Sequence, residues 1–257
     1  MKSDSVLHRA TFVAVLLIMP LASHAAIAPD RTRVIFNEDA KSVTVTLKNS
    51  NASLPYLAQV WLEDAQYAKD TTHFTALPPL QRIEAKSDGQ IKIQPLPGAA
   101  SLPQDRESLF YFNVREIPPK SDKPNTLQLA LQTRIKFFYR PTAVANQIDK
   151  DHPFQEKLTL QYQGDTVVFD NPTPFYLVLS NVGNKVGNTA LGFKSQLLAP
   201  REKATVAIKS TSLGQSPVVN YIDDFGGNRM LVFTCAGNRC HVDEKKTRDA
   251  EKKANSK

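Results

Sequence analysis

The sequence predicts an all-β protein built from two immunoglobulin-like β-sandwich domains, and three observations lead there. Short segments with apolar residues at every second position recur along the chain, separated by turn-rich stretches and with no helical period of comparable strength. After Arg140-Pro141 this alternation lapses for some fifteen residues and then resumes. The 257 residues are too many for one sandwich and suit two domains of about 100 residues each.

The elements follow in order. Residues 1–25 read as a secretory leader: Lys2, His8 and Arg9 give a basic start, Ala10 to Leu21 is mostly apolar, and Ser23-His24-Ala25 supplies small residues for cleavage. No later stretch reaches the ~18 apolar residues of a membrane span, so the expectation is an exported, soluble protein with no membrane insertion. The whole chain carries a formal charge of +7, and losing Lys2, Arg9 and Asp4 with the leader leaves about +6. In an exported protein without a recognisable binding module, nucleic acid is not an expected partner.

The first domain, 26–144, holds the expected strands Ser42–Leu47, Tyr56–Leu62, Gln90–Leu96, Leu109–Val114 and Leu127–Phe138. The last is the longest, about twelve residues against the usual five or six. Trp61, the only tryptophan, is expected to fill the core between the sheets. The second domain, 145–244, holds Lys157–Tyr162, Val167–Phe169, Phe175–Leu179, Ala204–Ile208 and Met230–Thr234. Residues 245–257 form a basic, frayed tail. Cys235 and Cys240 are the only cysteines. Their spacing suits neither a C-x-x-C redox motif nor a four-ligand zinc site, and in an oxidising compartment it favours a disulfide across a hairpin.

Nothing catalytic emerges from the motifs. His73, His152 and His241 are scattered, and there is no nucleophile elbow, phosphate-binding glycine loop or dinucleotide fingerprint. The paired acids Glu63-Asp64 and Asp223-Asp224 read as surface or turn charge. The expectation is a protein with no catalytic residues, no metal and no cofactor.

Several blocks carry a resemblance. Asp30 to Phe36, Leu54 to Trp61, Leu102 to Pro119, Leu127 to Pro141, Asp170 to Pro174, Tyr221 to Gly227 and the Cys235/Cys240 hairpin are similar to the PapD-like periplasmic chaperones of the chaperone–usher pathway. The likeness runs from Asp30 to about Val242, and the compact Pro-rich loop Arg115–Pro124 resembles the short-loop branch of that family. It implies a cleft between two angled domains. It also implies a periplasmic protein that binds and folds pilin subunits by donor-strand complementation and delivers them to an outer-membrane usher, with self-association when free.

The same resemblance assigns residues. Leu127, Leu129 and Leu131 match the donated strand, although three alternating leucines are by themselves also the pattern of sandwich core. Arg33 and Lys136 match the anchor for the pilin's C-terminal carboxylate. Strict alternation puts Lys136 on the face opposite the leucines, so a twist or bulge is expected to redirect it. Glu107, Arg140 and Asp224 match an interdomain charge network. The alternative is an exported immunoglobulin-like surface or adhesion subunit, which would need a free N-terminal donor extension.

Overall fold

The computed structural model describes residues 26–121 and 124–256; the expected leader, 1–25, lies outside them. In the first domain the strands are β1 (Ile27–Pro29), β2 (Arg33–Asn37), β3 (Val43–Asn49), β4 (Tyr56–Asp64), β5 (Phe74–Leu77), β6 (Leu80–Ile83), β7 (Asp88–Pro95), β8 (Ser108–Ile117) and β9 (Gln132–Arg140). One sheet runs β1-β3-β7-β5 and the other β2-β9-β8-β4-β6. All pairings are antiparallel except β2 with β9. The expected opening strand is split: Pro29, with no N–H for a ladder, ends β1 in one sheet, and the chain re-enters the other sheet at Arg33. Between the sheets lie Val45, Leu47, Leu62, Ile91 and Ile93, with Phe74 in edge contact with Phe36 and Phe137.

Trp61 is not part of this core. Ala58, Val60 and Leu62 take the inward positions of β4, so the period of two turns Trp61 outward. There its indole N–H donates to Glu63 Oε1 at 2.8 Å, and Arg115 lies 5.2 Å over its ring.

The long strand expected from Leu127 begins only at Gln132. The ladder between β8 and β9 runs from Ser108↔Tyr139 to Arg115↔Gln132, followed by one bond from Glu116 N–H to the Leu131 carbonyl. Among the described residues, no strand is formed by 127–131. Leu127, Leu129 and Leu131 are 82, 64 and 38 % exposed, so they are not sandwich core.

In the second domain, α1 (Thr142–Ala145) precedes β10 (Thr159–Gln163), β11 (Thr166–Asp170), β12 (Leu177–Gly183), β13 (Gln196–Leu198), β14 (Lys203–Val206), β15 (Val218–Ile222), β16 (Asn228–Ala236) and β17 (Arg239–Val242), and α2 (Glu244–Asn255) closes the chain. Strand order is β13-β12-β15-β16-β17-β10-β11-β14. β16 joins the two layers: its first five residues pair with β15 and its last four with β17. Phe154, Leu160, Phe169, Phe175, Leu179 and Phe233 fill the space between. Val144, assigned above to the first domain, is fully buried in this second core, because α1 turns it inward just after Pro141. Cys235 and Cys240 face each other across the β16–β17 hairpin as a disulfide.

Within the expected frayed tail, residues 245–255 instead form a helix. Asp243 caps α2 by accepting from Lys246 N–H, and the helix packs on β16. The reason is the switch of neighbours along β16, which leaves Val232 without a strand on one side. Thr247, itself buried, fills that gap: its hydroxyl accepts from Val232 N–H at 2.9 Å and reaches back to the Val232 carbonyl. Thr247→Val should therefore leave a buried N–H unmet and lower unfolding stability by about 1–3 kcal/mol, while Thr247→Ser should lose much less. Urea unfolding of the two variants reads the difference.

Candidate functional site

The outward face of β9 carries Arg134, Lys136, Phe138 and Arg140 in succession, each at a different task. Register sets their neighbours: Arg33 and Tyr111 flank Lys136, Ile35 and Leu109 flank Phe138, and Asn113 lies opposite Arg134. β9 pairs without a shift from Gln132 to Tyr139, so no bulge redirects Lys136. Strict alternation places it on the outward face, beside Arg33. The cleft lies on the face opposite the core, while the leucines continue the phase of the inward Ile135, Phe137 and Tyr139.

At the domain junction Leu109, Phe138 and Val178 are buried together, with Ile35, Tyr176, Leu197 and Ile222 packed around them. Phe138 and Tyr176 stack at a tilt, 5.4 Å apart. Beyond this patch Arg140 spans the two domains. Its Nε donates to Glu107 Oε1 at 2.7 Å, and its two terminal nitrogens reach Asp224 at 2.7 and 3.1 Å. Glu107 also accepts from Tyr176 N–H at 2.7 Å, and its own N–H donates to the Pro174 carbonyl. Arg140 rests on the Phe175 ring as well. A second ion pair crosses the junction, from Arg201 to Asp105 at 2.7 Å.

Arg33 and Lys136 sit side by side on the adjacent parallel strands. Arg33 donates to the Ile222 carbonyl across the junction at 3.1 Å, while its buried Nε has no partner. Burial pulls its pKa below the ordinary guanidinium value, against the attraction of Asp224 and Asp223. Lys136 is depressed too, first by burial and then by the charge of Arg33, and among the described residues it makes no hydrogen bond or ion pair. The cleft beside Arg33, about 430 Å³ in volume, is lined by Asp30, Arg31, Ile35, Asn37, Asp224 and Phe225 as well. Arg31 is already paired with Asp30 and Arg140 with Asp224, which leaves Arg33 as the unmet cation of that lining. Two adjacent, part-desolvated cations are chemically suited to receive an anion.

Other features escaped the sequence. Glu63 is buried instead of being surface charge, held by Arg134 at 2.9 Å, and Arg134 lies over the Tyr67 ring, which stacks on Tyr111. The pairing of Glu63 with Tyr111 across β4 and β8 could have been found only from register. His152 is not isolated, since Glu156 and Glu244 approach it at 3.5 and 3.8 Å. Arg248 also pairs with Glu244, so this cluster already holds a cation.

The first of two family profiles, described as "Pili and flagellar-assembly chaperone, PapD N-terminal domain", matches residues 26–145, and the second, "Pili assembly chaperone PapD, C-terminal domain", matches 153–233. The chain is 48% identical over 239 residues to a probable fimbrial chaperone, YfcS, of Escherichia coli K12, covering 93% of this chain and 94% of that one. It is 41% identical over 235 residues to the chaperone protein PapD of Escherichia coli, with 91% and 96% covered. Among solved structures, the periplasmic chaperone SfaE matches with a TM-score of 0.64 at 30% identity, covering 80% of this chain and 98% of that one. The Salmonella enterica SafB chaperone solved with the SafA pilin matches at a TM-score of 0.70 and 25% identity, with 83% and 98% covered.

Burial pushes the Glu107 carboxyl up to about 7, against Arg140 and the Tyr176 N–H, which favour its charge. A carboxyl whose folded pKa lies above its unfolded value of 4.5 contributes stability that is complete below that value and is lost as pH rises through about 7. The unfolding midpoint should accordingly fall between pH 5 and pH 8, and Glu107→Gln should flatten this dependence. Denaturation curves at the two pH values measure it.

Proposed function

The chain belongs to the PapD family of pilus-assembly chaperones, and from that premise we propose how its residues receive a subunit. The protein is a chaperone of pilus assembly, and its binding surface is the segment Leu127–Leu131 together with the cleft beside Arg33 and Lys136. The observation that carries this reading is the exposure of three leucines in phase with a core that ends before reaching them.

An incomplete sandwich presents an apolar groove and unpaired strand edges, which are otherwise an aggregation hazard. Residues 127–131 offer the complement: a segment outside the described strands, with alternate apolar side chains for the groove. Covering the three leucines is worth ~1.5–3 kcal/mol each, very roughly 5–9 kcal/mol together before the cost of ordering the partners. The guest's C-terminal carboxylate meets Arg33 and Lys136, where charge-assisted hydrogen bonds replace the lost hydration of the two cations. From Lys136 to Leu127 a strand rises roughly 30 Å, so about nine or ten guest residues lie alongside. Fixing one end sets the register of the rest, because a slip of one residue would turn every apolar side chain away from its place.

Glu107, Arg140 and Asp224 support the cleft from beneath and hold the two domains at their angle. The work is binding and templating without a chemical step on the guest. Export to the periplasm through the leader at residues 1–25, delivery to an outer-membrane usher, and self-association that covers the leucines when no guest is bound complete the proposal.

Lys136→Ala is expected to abolish recovery of pilin with the chaperone from periplasmic extracts, with the unfolding midpoint unchanged. Normal recovery would remove the anchor assignment. Leu129→Ser should likewise leave the chaperone's own stability within about 0.5 kcal/mol, since the side chain is already exposed, yet cut pilin co-purification by tenfold or more. Quantitative pull-down beside urea unfolding separates the two effects.

A further inference from the structure

Phe225 is 96 % exposed, and almost every group around it is tied down. It sits at the tip of the turn after β15. Asp223 N–H donates to the Gly227 carbonyl, Gly226 N–H to the Asp223 carbonyl, and the Asp223 carboxylate accepts from Phe225 N–H and Gly227 N–H at 3.0 and 2.7 Å. Asp223 also holds Arg229, and Asp224 holds Arg140. Gly226 has a φ of +85°, and a Cβ there would come within 2.5 Å of Thr32 Oγ1. The same turn begins at Ile222, whose carbonyl receives the Arg33 guanidinium. The turn is thus tied to Arg33 of the other domain and passes close to Thr32, and the Phe225 ring is left bare at the rim of the cleft.

We propose that Phe225 is a specificity residue of the carboxylate cleft, closing over an apolar side chain at one of the last two residues of the guest's C-terminus. The inference rests on the carboxylate reading given above and adds a side-chain requirement to it. A large aromatic ring on a rigid, solvent-facing turn gains nothing for the chaperone's own fold, since it covers no apolar surface there. It stands beside Ile35 and Arg33 in the cleft lining, so a chain end held by Arg33 and Lys136 brings its final side chains to this wall. The opposite flank of the turn borders a cavity in which acids outnumber bases, among them Asp149, Asp151, Glu156 and Glu251, and that side repels a carboxylate. Charge therefore directs the guest's end to one side of the ring.

The test uses the full exported chain and three fluorescein-labelled ten-residue peptides with valine at alternate positions. One ends in two phenylalanines with a free carboxylate, the second is its C-terminal amide, and the third ends in two alanines with a free carboxylate. By fluorescence anisotropy the unaltered chaperone should bind the first about tenfold more tightly than the third. Phe225→Ala should erase that preference while keeping the loss of binding on amidation, and Phe225→Tyr should restore it. Preference for the phenylalanine ending that persists in Phe225→Ala, with amidation still harmful, overturns the role of Phe225 alone. If amidation changes nothing in the unaltered protein, the carboxylate reading falls and this inference falls with it. The ring's exposure means that each variant should unfold at the same midpoint as the parent.

Discussion

Arg140 ends β9 with a guanidinium that is almost wholly buried yet belongs to neither domain alone. Burial works against its charge, but Asp224 and Glu107 together hold its pKa above the ordinary value. The apolar patch of Leu109, Phe138 and Val178 brings the domains together without prescribing an angle, because apolar burial has no direction. The arginine adds directed bonds: Glu107 of the first domain accepts from its Nε and Asp224 of the second from its terminal nitrogens. The turn that holds Asp224 also meets Arg33 through Ile222 and carries Phe225, so the shape of the cleft follows from where this network locks.

The second organising feature is the two-sidedness of β9. Inward residues Ile135, Phe137 and Tyr139 build the core, and outward residues Lys136, Phe138 and Arg140 build in turn the cation pair, the junction and the charge network. The leucines at 127, 129 and 131 belong to the inward phase but precede Gln132, where the ladder between β8 and β9 begins. They stay exposed because the sandwich ends before reaching them. Arg33 and Lys136 lie side by side on the outward face. The stretch from Leu127 to Arg140 thus presents exposed leucines ahead of β9 and Lys136 on its outward face.

In the second domain the same economy appears as a local repair. β16 must change partners to join its two layers, and that change opens a gap beside Val232. α2 closes it with a threonine hydroxyl, which is why the basic C-terminal residues form a docked helix. Their charges lie on the solvent side, whereas Thr247, the one buried residue among those described, makes the contact.

Periodicity, composition and short motifs determined the all-β class, the two-domain layout, the hairpin disulfide and the leucines that share one face, because each depends on residues near one another in sequence. The resemblance added Arg33, Lys136, Glu107, Arg140 and Asp224, but not how they meet. Trp61 shows the limit: strand alternation is visible in sequence, yet which of its two faces is inward depends on the opposing sheet. The burial of Glu63 and Thr247, the close approach of Gly226 to Thr32, the display of Phe225 and the placement of Lys136 beside Arg33 were decided only by the tertiary structure. They are meetings of groups far apart along the chain, and their geometry follows from register and domain packing that no local pattern encodes.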